Sequence, residues 1–197
     1  MILYTPLDIP RIIPNDWNSW WHVWDEHKAD VVKYKMNHNG AQDITWQGFD
    51  IYNEGGKERG VVYDAPLIPS YPVTDDLVNQ VMQHCPIQPY VIRIMENIRP
   101  VGFHSDNTFV SHEFRSFLWS DYTDPLWAFE YEGVAKRARM PVETNSFYFR
   151  DYPLKHAAIH REGHTKGLLV IYGKPKDTFD QTLERSAEKY KDYAWIV

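Results

Sequence analysis

Residues 155–172 read KHAAIHREGHTKGLLVIY. The first arm, Lys155 to His160, is short and extended in character. Arg161-Glu162-Gly163-His164-Thr165 is a polar turn containing a glycine. The second arm opens on Lys166 and continues as Gly167-Leu168-Leu169-Val170-Ile171-Tyr172. A brief apolar run bounded by turn residues is the pattern of a buried strand, so the stretch reads as a β-hairpin. It carries a histidine on its outgoing arm and a cation at the start of its returning arm.

Working outward, the same pattern recurs. Gln88 to Ile98 alternates around Val91, Ile92, Ile94 and Met95. Glu113 to Trp119, Leu126 to Glu132, Val134 to Met140 and Ser146 to Phe149 follow it, with Gly133 as a tight turn between two of them. Upstream, Asp30 to His38, Asp43 to Tyr52 and Arg59 to Tyr63 are also short and bounded by turns. Three segments carry a helical period instead. Trp17, Trp20, Trp21 and Trp24 recur at i, i+3, i+4 and i+7 behind Asn15 or Asp16 as N-cap. Thr74 is the expected cap of a second helix, with Asp75 and Asp76 in its first turn. Its stripe is Leu77, Val78, Val81, Met82 and Cys85, and Pro86 is its stop. A third helix is expected from near Asp177, with Phe179, Leu183, Ala187 and Tyr190 on one face. Many short strands with frequent turns favour a sandwich, jelly roll or barrel.

Composition bounds the rest. The 197 residues suit one domain with a real core, and 43% hydrophobic residues disfavour wholesale disorder. The eight Trp and thirteen Tyr supply large side chains for that core. A net charge of −6 argues against a phosphate-backbone partner, and Lys136, Arg137 and Arg139 are too short a group to make a basic patch. Cys85 is the single cysteine, which leaves no intramolecular disulfide or thiolate zinc cluster. No stretch approaches the ~20 apolar residues of a membrane span, and the N-terminus lacks signal-peptide character. A cytoplasmic protein is expected, with a homodimer as a possible assembly and no nucleic-acid or membrane partner.

Among nine histidines, two segments stand apart. In Gly102-Phe103-His104-Ser105-Asp106-Asn107, His104 and Asp106 are two positions apart and face one side of an extended chain. An imidazole and a carboxylate so placed can reach one metal. In the hairpin, His156 and Lys166 lie ten positions apart and can approach the same end of a cleft. Two imidazoles and one carboxylate bind ferrous iron on one face and leave three positions open. A 2-oxo acid and dioxygen suit those positions, and the far carboxylate of a dicarboxylate needs a buried cation. His160 shares a face with His156 on an extended arm and is the rival third ligand. His22, His27, His38 and His84 have no telling partner and read as surface or structural, and His112 and His164 as cleft-edge or turn residues.

The pattern His104-Ser105-Asp106, then His156, then Lys166 resembles the His-x-Asp…His-x10-Arg/Lys signature of the 2-oxoglutarate/Fe(II)-dependent dioxygenases. Asn145 to Phe149, ahead of a His-Ala-hydrophobic run, resembles the aspartyl/asparaginyl β-hydroxylase-like and prolyl-hydroxylase-like branches. The likeness spans about Val91 to Gly173. It implies a mainly β fold with flanking helices, a double-stranded β-helix of the jelly-roll, cupin-like kind. Residues 1–197 would form a single domain. Within it, 1–87 would support the barrel, 88–173 would be the jelly-roll core with the metal site, and 174–197 the C-terminal helix. It implies His104, Asp106 and His156 as iron ligands and catalytic centre, and Lys166 as the partner of the 2-oxoglutarate C5 carboxylate, with Arg115 as a second anion contact. Lys replaces the commoner Arg, giving a point charge in place of a bidentate fork. The implied activity is hydroxylation of a C–H bond, with Fe(II), 2-oxoglutarate and dioxygen as cofactor and co-substrates and an amino-acid, peptide or protein as substrate. The alternative is a non-enzymatic, cupin-like metal- or ligand-binding barrel.

Overall fold

The apolar run Leu168 to Ile171 is realised in the long central strand of a wide sheet, but the expected hairpin is not: Lys155–Ala158 pairs in a second sheet and does not bond to the strand that begins at Lys166. The computed structural model describes residues 1–27, 32–35, 44–55, 65–97, 100–105, 113–119, 124, 127–150, 152–159 and 166–197. In chain order the elements are β1 (Ile2–Pro6), α1 (Trp17–His27), β2 (Val32–Lys35), β3 (Ile44–Asn53), α2 (Pro72–His84) and β4 (Ile87–Asn97). Then follow β5 (Val101–His104), β6 (Glu113–Trp119), β7 (Trp127–Tyr131), β8 (Val134–Arg137), β9 (Ser146–Phe149) and β10 (Lys155–Ala158). The chain finishes with β11 (Lys166–Pro175), α3 (Phe179–Lys189) and β12 (Trp195–Ile196). The expected strand Arg59 to Tyr63 lies outside the described residues.

Eight strands form one sheet in the order β12-β1-β9-β6-β11-β4-β3-β2, and four form a second in the order β5-β10-β7-β8. Every pairing between these strands is antiparallel. Because successive side chains of a strand point to opposite faces, each central strand feeds two cores. Phe49, Ile92, Ile94, Tyr148, Leu169 and Ile171 of the large sheet pack with Trp20, Val23 and Trp24 of α1, Leu77 and Val81 of α2, and Phe179 and Leu183 of α3. The opposite face contributes Tyr4, Val91, Phe147, Phe149, Leu168, Val170 and Tyr172, which pack against Val101, Trp127, Phe129 and Ala158 of the small sheet. The layers are therefore helices, large sheet, small sheet. Among the described residues, no helix is long and apolar enough to cross a membrane.

This arrangement corrects the expected fold class. A double-stranded β-helix, the jelly-roll or cupin-like form, requires sheets that curl until the barrel closes. Here both sheets run in linear order between separate edge strands, and neither is closed or strongly curled. The cause is the N-terminal contribution. β1, β2 and β3 hydrogen-bond into the same sheet as β4, β6, β9 and β11, widening it on both sides. The result is a mixed α/β architecture with open sheets.

The helices also refine their sequence-based boundaries. Asp16 is the cap of α1: its Oδ1 accepts the backbone N–H groups of Asn18 at 3.0 Å and Ser19 at 3.3 Å. Of the four tryptophans at helical spacing, Trp20 and Trp24 are buried, while Trp21 is 40% exposed. The buried stripe runs through Trp20, Val23 and Trp24. α2 starts earlier than expected, because Pro72 at the first helical turn has its φ preset and Tyr71 is the cap. Thr74 becomes the third helical residue, and its Oγ1 accepts the Tyr71 N–H at 3.1 Å. The end at Cys85 and Pro86 is as expected. There Lys176 Nζ donates to the carbonyls of Met82 at 2.6 Å and Cys85 at 2.8 Å, closing off the helix terminus with a cation. Cys85 itself is buried, and burial pushes its thiol up to about 12, so it stays protonated and inert. Gly133 (φ 77°) follows Glu132 (φ 48°) in the two-residue turn between β7 and β8, the left-handed pair that such hairpins require.

Candidate metal centre

β5 is short and ends at His104, and its partner is β10. The register sets His104 opposite His156 and Val101 opposite Ala158. Between these pairs β10 advances two residues and β5 three, so β5 carries a bulge at Gly102 and Phe103. A bulge re-aims the side chains beyond it. Its effect here is to place both Val101 and His104 on the side of β10 that faces the large sheet. The two imidazole centroids are 4.3 Å apart. His156 is 1% exposed, whereas His104 is half-buried at the rim.

The His104 ring has a defined tautomer. Its Nδ1 lies 2.7 Å from the Gly102 carbonyl oxygen, which can only accept. In the neutral ring Nδ1 therefore carries the hydrogen and Nε2 carries the lone pair. That is the form in which histidine ligates a metal, with a backbone carbonyl fixing the ring from behind. Paired imidazoles are donors that Fe(II), Zn(II), Cu(II) and Ni(II) all accept. Among the described residues, no three His, Cys, Asp or Glu side chains converge as a metal site. Asp106 lies outside the described residues, as do His112, His160 and His164.

Across from the histidines, the large sheet presents cations. Lys166 begins β11 and is 1% exposed; Arg115 lies in β6, opposite Val170, and is also buried. Both approach the indole of Trp127 from β7: Arg115 Cζ is 4.3 Å and Lys166 Nζ 4.7 Å from the ring centroid. Trp127 in turn stacks on His156 at 5.3 Å and 29°. Phe149 closes the group, 4.9 Å from His156 and 5.0 Å from Arg115 Cζ. Burial holds the Lys166 ammonium well below its ordinary pKa, the Arg115 charge adds to that, and Asp124 opposes it.

A second buried pair extends the polar row. Arg93 Nε donates to Asp50 Oδ1 at 2.6 Å and Nη2 to Oδ2 at 3.3 Å. Both residues are almost wholly buried, and Asn53 Nδ2 also donates to Asp50 at 2.9 Å. Desolvation pushes the Asp50 carboxyl up, while the guanidinium fork pulls it back down. Arg93 is in register with Val170, as is Arg115 on its other side. The inward face of the large sheet therefore carries Asp50, Arg93, Arg115 and Lys166.

Four residues marked out in the sequence, His104, His156, Lys166 and Arg115, come together here. Three participants, Trp127, Arg93 and Asp50, escaped sequence reading. Trp127 was one aromatic among many. Arg93 interrupts the apolar run Val91-Ile92-Arg93-Ile94-Met95, a signal that a buried cation was to be expected, but Asp50 is forty-three residues away and only strand register joins them. Among the other described histidines, His22 and His27 lie away from this group. His27 Nε2 lies 3.0 Å from the Tyr71 hydroxyl, and His22 is exposed beside Glu26.

No protein-family model and no curated protein matches this sequence. Solved structures do match. A prolyl-4-hydroxylase from Pseudomonas putida aligns with a TM-score of 0.50 at 10% identity, over 88% of this chain and 94% of that one. A prolyl hydroxylase from Trichoplax adhaerens, in complex with a hypoxia inducible factor oxygen degradation domain peptide fragment, aligns at 0.47 and 10% identity, over 86% and 84%. An oxidoreductase of the 2OG-Fe(II) oxygenase family from Burkholderia pseudomallei aligns at 0.44 and 10% identity, over 81% and 79%. The match to the Pseudomonas putida enzyme shows a shared fold.

Proposed function

We propose that this chain, sharing its fold with a prolyl-4-hydroxylase, is an Fe(II)- and 2-oxoglutarate-dependent oxygenase that hydroxylates a C–H bond of an amino-acid side chain, free or within a peptide or protein. The observation that carries the reading is the meeting of His104 and His156 on one sheet opposite Lys166 and Arg115 on the other, with one indole touching His156 and both cations. His104 and His156 would hold the metal, with Asp106, two residues beyond His104, as the carboxylate ligand. Fe(II), when bound, supplies dioxygen activation coupled to oxidative decarboxylation of 2-oxoglutarate to succinate and carbon dioxide.

The chain's own residues do the positioning. The Gly102 carbonyl holds His104 in its ligating tautomer. Phe149 and Trp127 pack on His156 and keep that ring from swinging away. The Lys166 ammonium is buried where a carboxylate would find little competing water, and burial makes its charge costly. A bound dicarboxylate would raise the proton affinity of Nζ and lock the ammonium form. No side-chain nucleophile or general base is needed, because the protein's part is alignment of co-substrate and target bond.

Anaerobic addition of Fe(II) and 2-oxoglutarate tests this directly. The expected result is a weak visible charge-transfer band, absent from folded His104→Ala, Asp106→Ala and His156→Ala variants, with succinate formed on admitting oxygen. A wild-type chain that gives no band, or a band unaltered in all three variants, overturns the assignment. A band with no succinate across peptide, amino-acid and protein substrates would point to a binding role.

A further inference from the structure

We propose that Trp127 is a positioning residue that packs against both the Lys166 ammonium and the Arg115 guanidinium, holds them for a carboxylate and ties that anion subsite to His156. The inference rests on the oxygenase reading for the identity of the anion, but its geometry stands apart from it. Three groups of different elements meet on one ring: Arg115 of β6 at 4.3 Å, Lys166 of β11 at 4.7 Å and His156 of β10 at 5.3 Å. The indole comes from the small sheet and the two cations from the large one, so Trp127 bridges the layers at the point where the site lies between them.

Two like charges brought this close repel each other and lose hydration. An electron-rich ring face offsets part of both costs, and tryptophan is the best of the aromatic residues for this. Held in this way, the cations need little rearrangement when a carboxylate enters, so less side-chain entropy is lost on binding. The contact with His156 adds a second consequence. The same fixed ring braces the candidate ligand and the cations, so the two halves of the site share one side chain. The strand register supports this rigidity. Trp127 pairs with Ala158, diagonal to His156 on the neighbouring strand, and is 1% exposed.

The test is a set of binding measurements on the full chain. Mn(II) is titrated alone, and 2-oxoglutarate is titrated in the presence of saturating Mn(II) without oxygen. Trp127→Leu is expected to weaken 2-oxoglutarate at least tenfold while changing Mn(II) alone by less than threefold, and Trp127→Phe should fall between Leu and wild type. In a Lys166→Met background the effect of Trp127→Leu should shrink below threefold, since one of the charges it organises is gone. Equal losses in both backgrounds, or unchanged affinity in a folded Trp127→Leu protein, overturn the proposal. Failure of the wild-type chain to bind 2-oxoglutarate would instead count against the oxygenase reading. In that event the platform is read from urea unfolding of the ligand-free chain. There Trp127→Leu and Arg115→Met should be non-additive, and additive changes would overturn it.

Discussion

On β11, Leu169 and Ile171 point to the helices, whereas Lys166, Leu168, Val170 and Tyr172 point to the small sheet. β4 divides likewise, with Ile92 and Ile94 on one side and Val91 and Arg93 on the other. Among the described residues, the helix-facing layer carries no buried charged side chain. The inward layer mixes aromatics with Asp50, Arg93, Arg115 and Lys166, all buried. The same two strands thus serve one face that gains free energy by burial and one that gives some back by desolvating charge. The contrast supports placing the proposed site on the inward face: buried charge persists where geometry holds it for a ligand or a partner.

The largest expected effect breaks the inward face. Asp50→Leu leaves the Arg93 guanidinium without its carboxylate and should cost about 3–5 kcal/mol in urea unfolding. The double variant Asp50→Leu/Arg93→Met should lie nearer to wild type than the single one, because no stranded charge remains. If the double is worse, the pair itself stabilises the fold and the contrast between the faces weakens. On the helix side, Leu169→Ala should cost about 3 kcal/mol through lost burial and a residual cavity. Its 2-oxoglutarate affinity should stay within twofold of wild type; a larger loss would show that the faces are not separable.

Lys166→Met sharpens the comparison through pH. The folded-state pKa of Lys166 lies below its ordinary value, so the unfolded chain binds more protons between the two. Wild-type stability from this residue therefore rises with pH across the window from its depressed folded value to its unfolded value near 10.5. The methionine variant should be more stable by about 1–2 kcal/mol near neutrality. That gain should vanish toward alkaline pH, while carboxylate binding is lost throughout. A variant less stable than wild type at pH 7 would mean that the ammonium is well compensated at rest. The smallest effect is expected at the outer edge of the helix layer. Asp16→Ala removes the cap of α1 and should lower the urea midpoint slightly without altering the pH slope set by Lys166.

How much of this was legible in the sequence depends on the range of the interaction. β6 and β9 match their expected bounds, because short alternating runs between turns are local signals. α3 appears where its stripe placed it. β12 is two residues long and β1 carries two prolines' worth of ambiguity with Pro6 and Pro10 near its end, so neither had a readable period. Closure failed as an expectation because it depends on which strands join which sheet, and no local pattern states that β3 will pair with β4. The spacing of His104, His156 and Lys166 marked residues that the fold brings to one region, and their role there is a proposal. The bulge in β5 that turns His104 toward His156 was not legible, and neither was the choice of Trp127 from eight tryptophans.

The first eight residues of β11, Lys166 to Gly173, are all buried in the folded protein. In the unfolded or newly made chain the same stretch is a hazard. Leu168-Leu169-Val170-Ile171-Tyr172 is uncharged, proline-free and rich in residues that favour intermolecular β-pairing. Lys166 and Lys174 bracket it as charged gatekeepers. A substitution that silences Lys166 would then have an effect on solubility during folding as well as on ligand binding. Expression yield, compared between Lys166→Met and Arg115→Met, would reveal it as inclusion bodies in the first and soluble protein in the second.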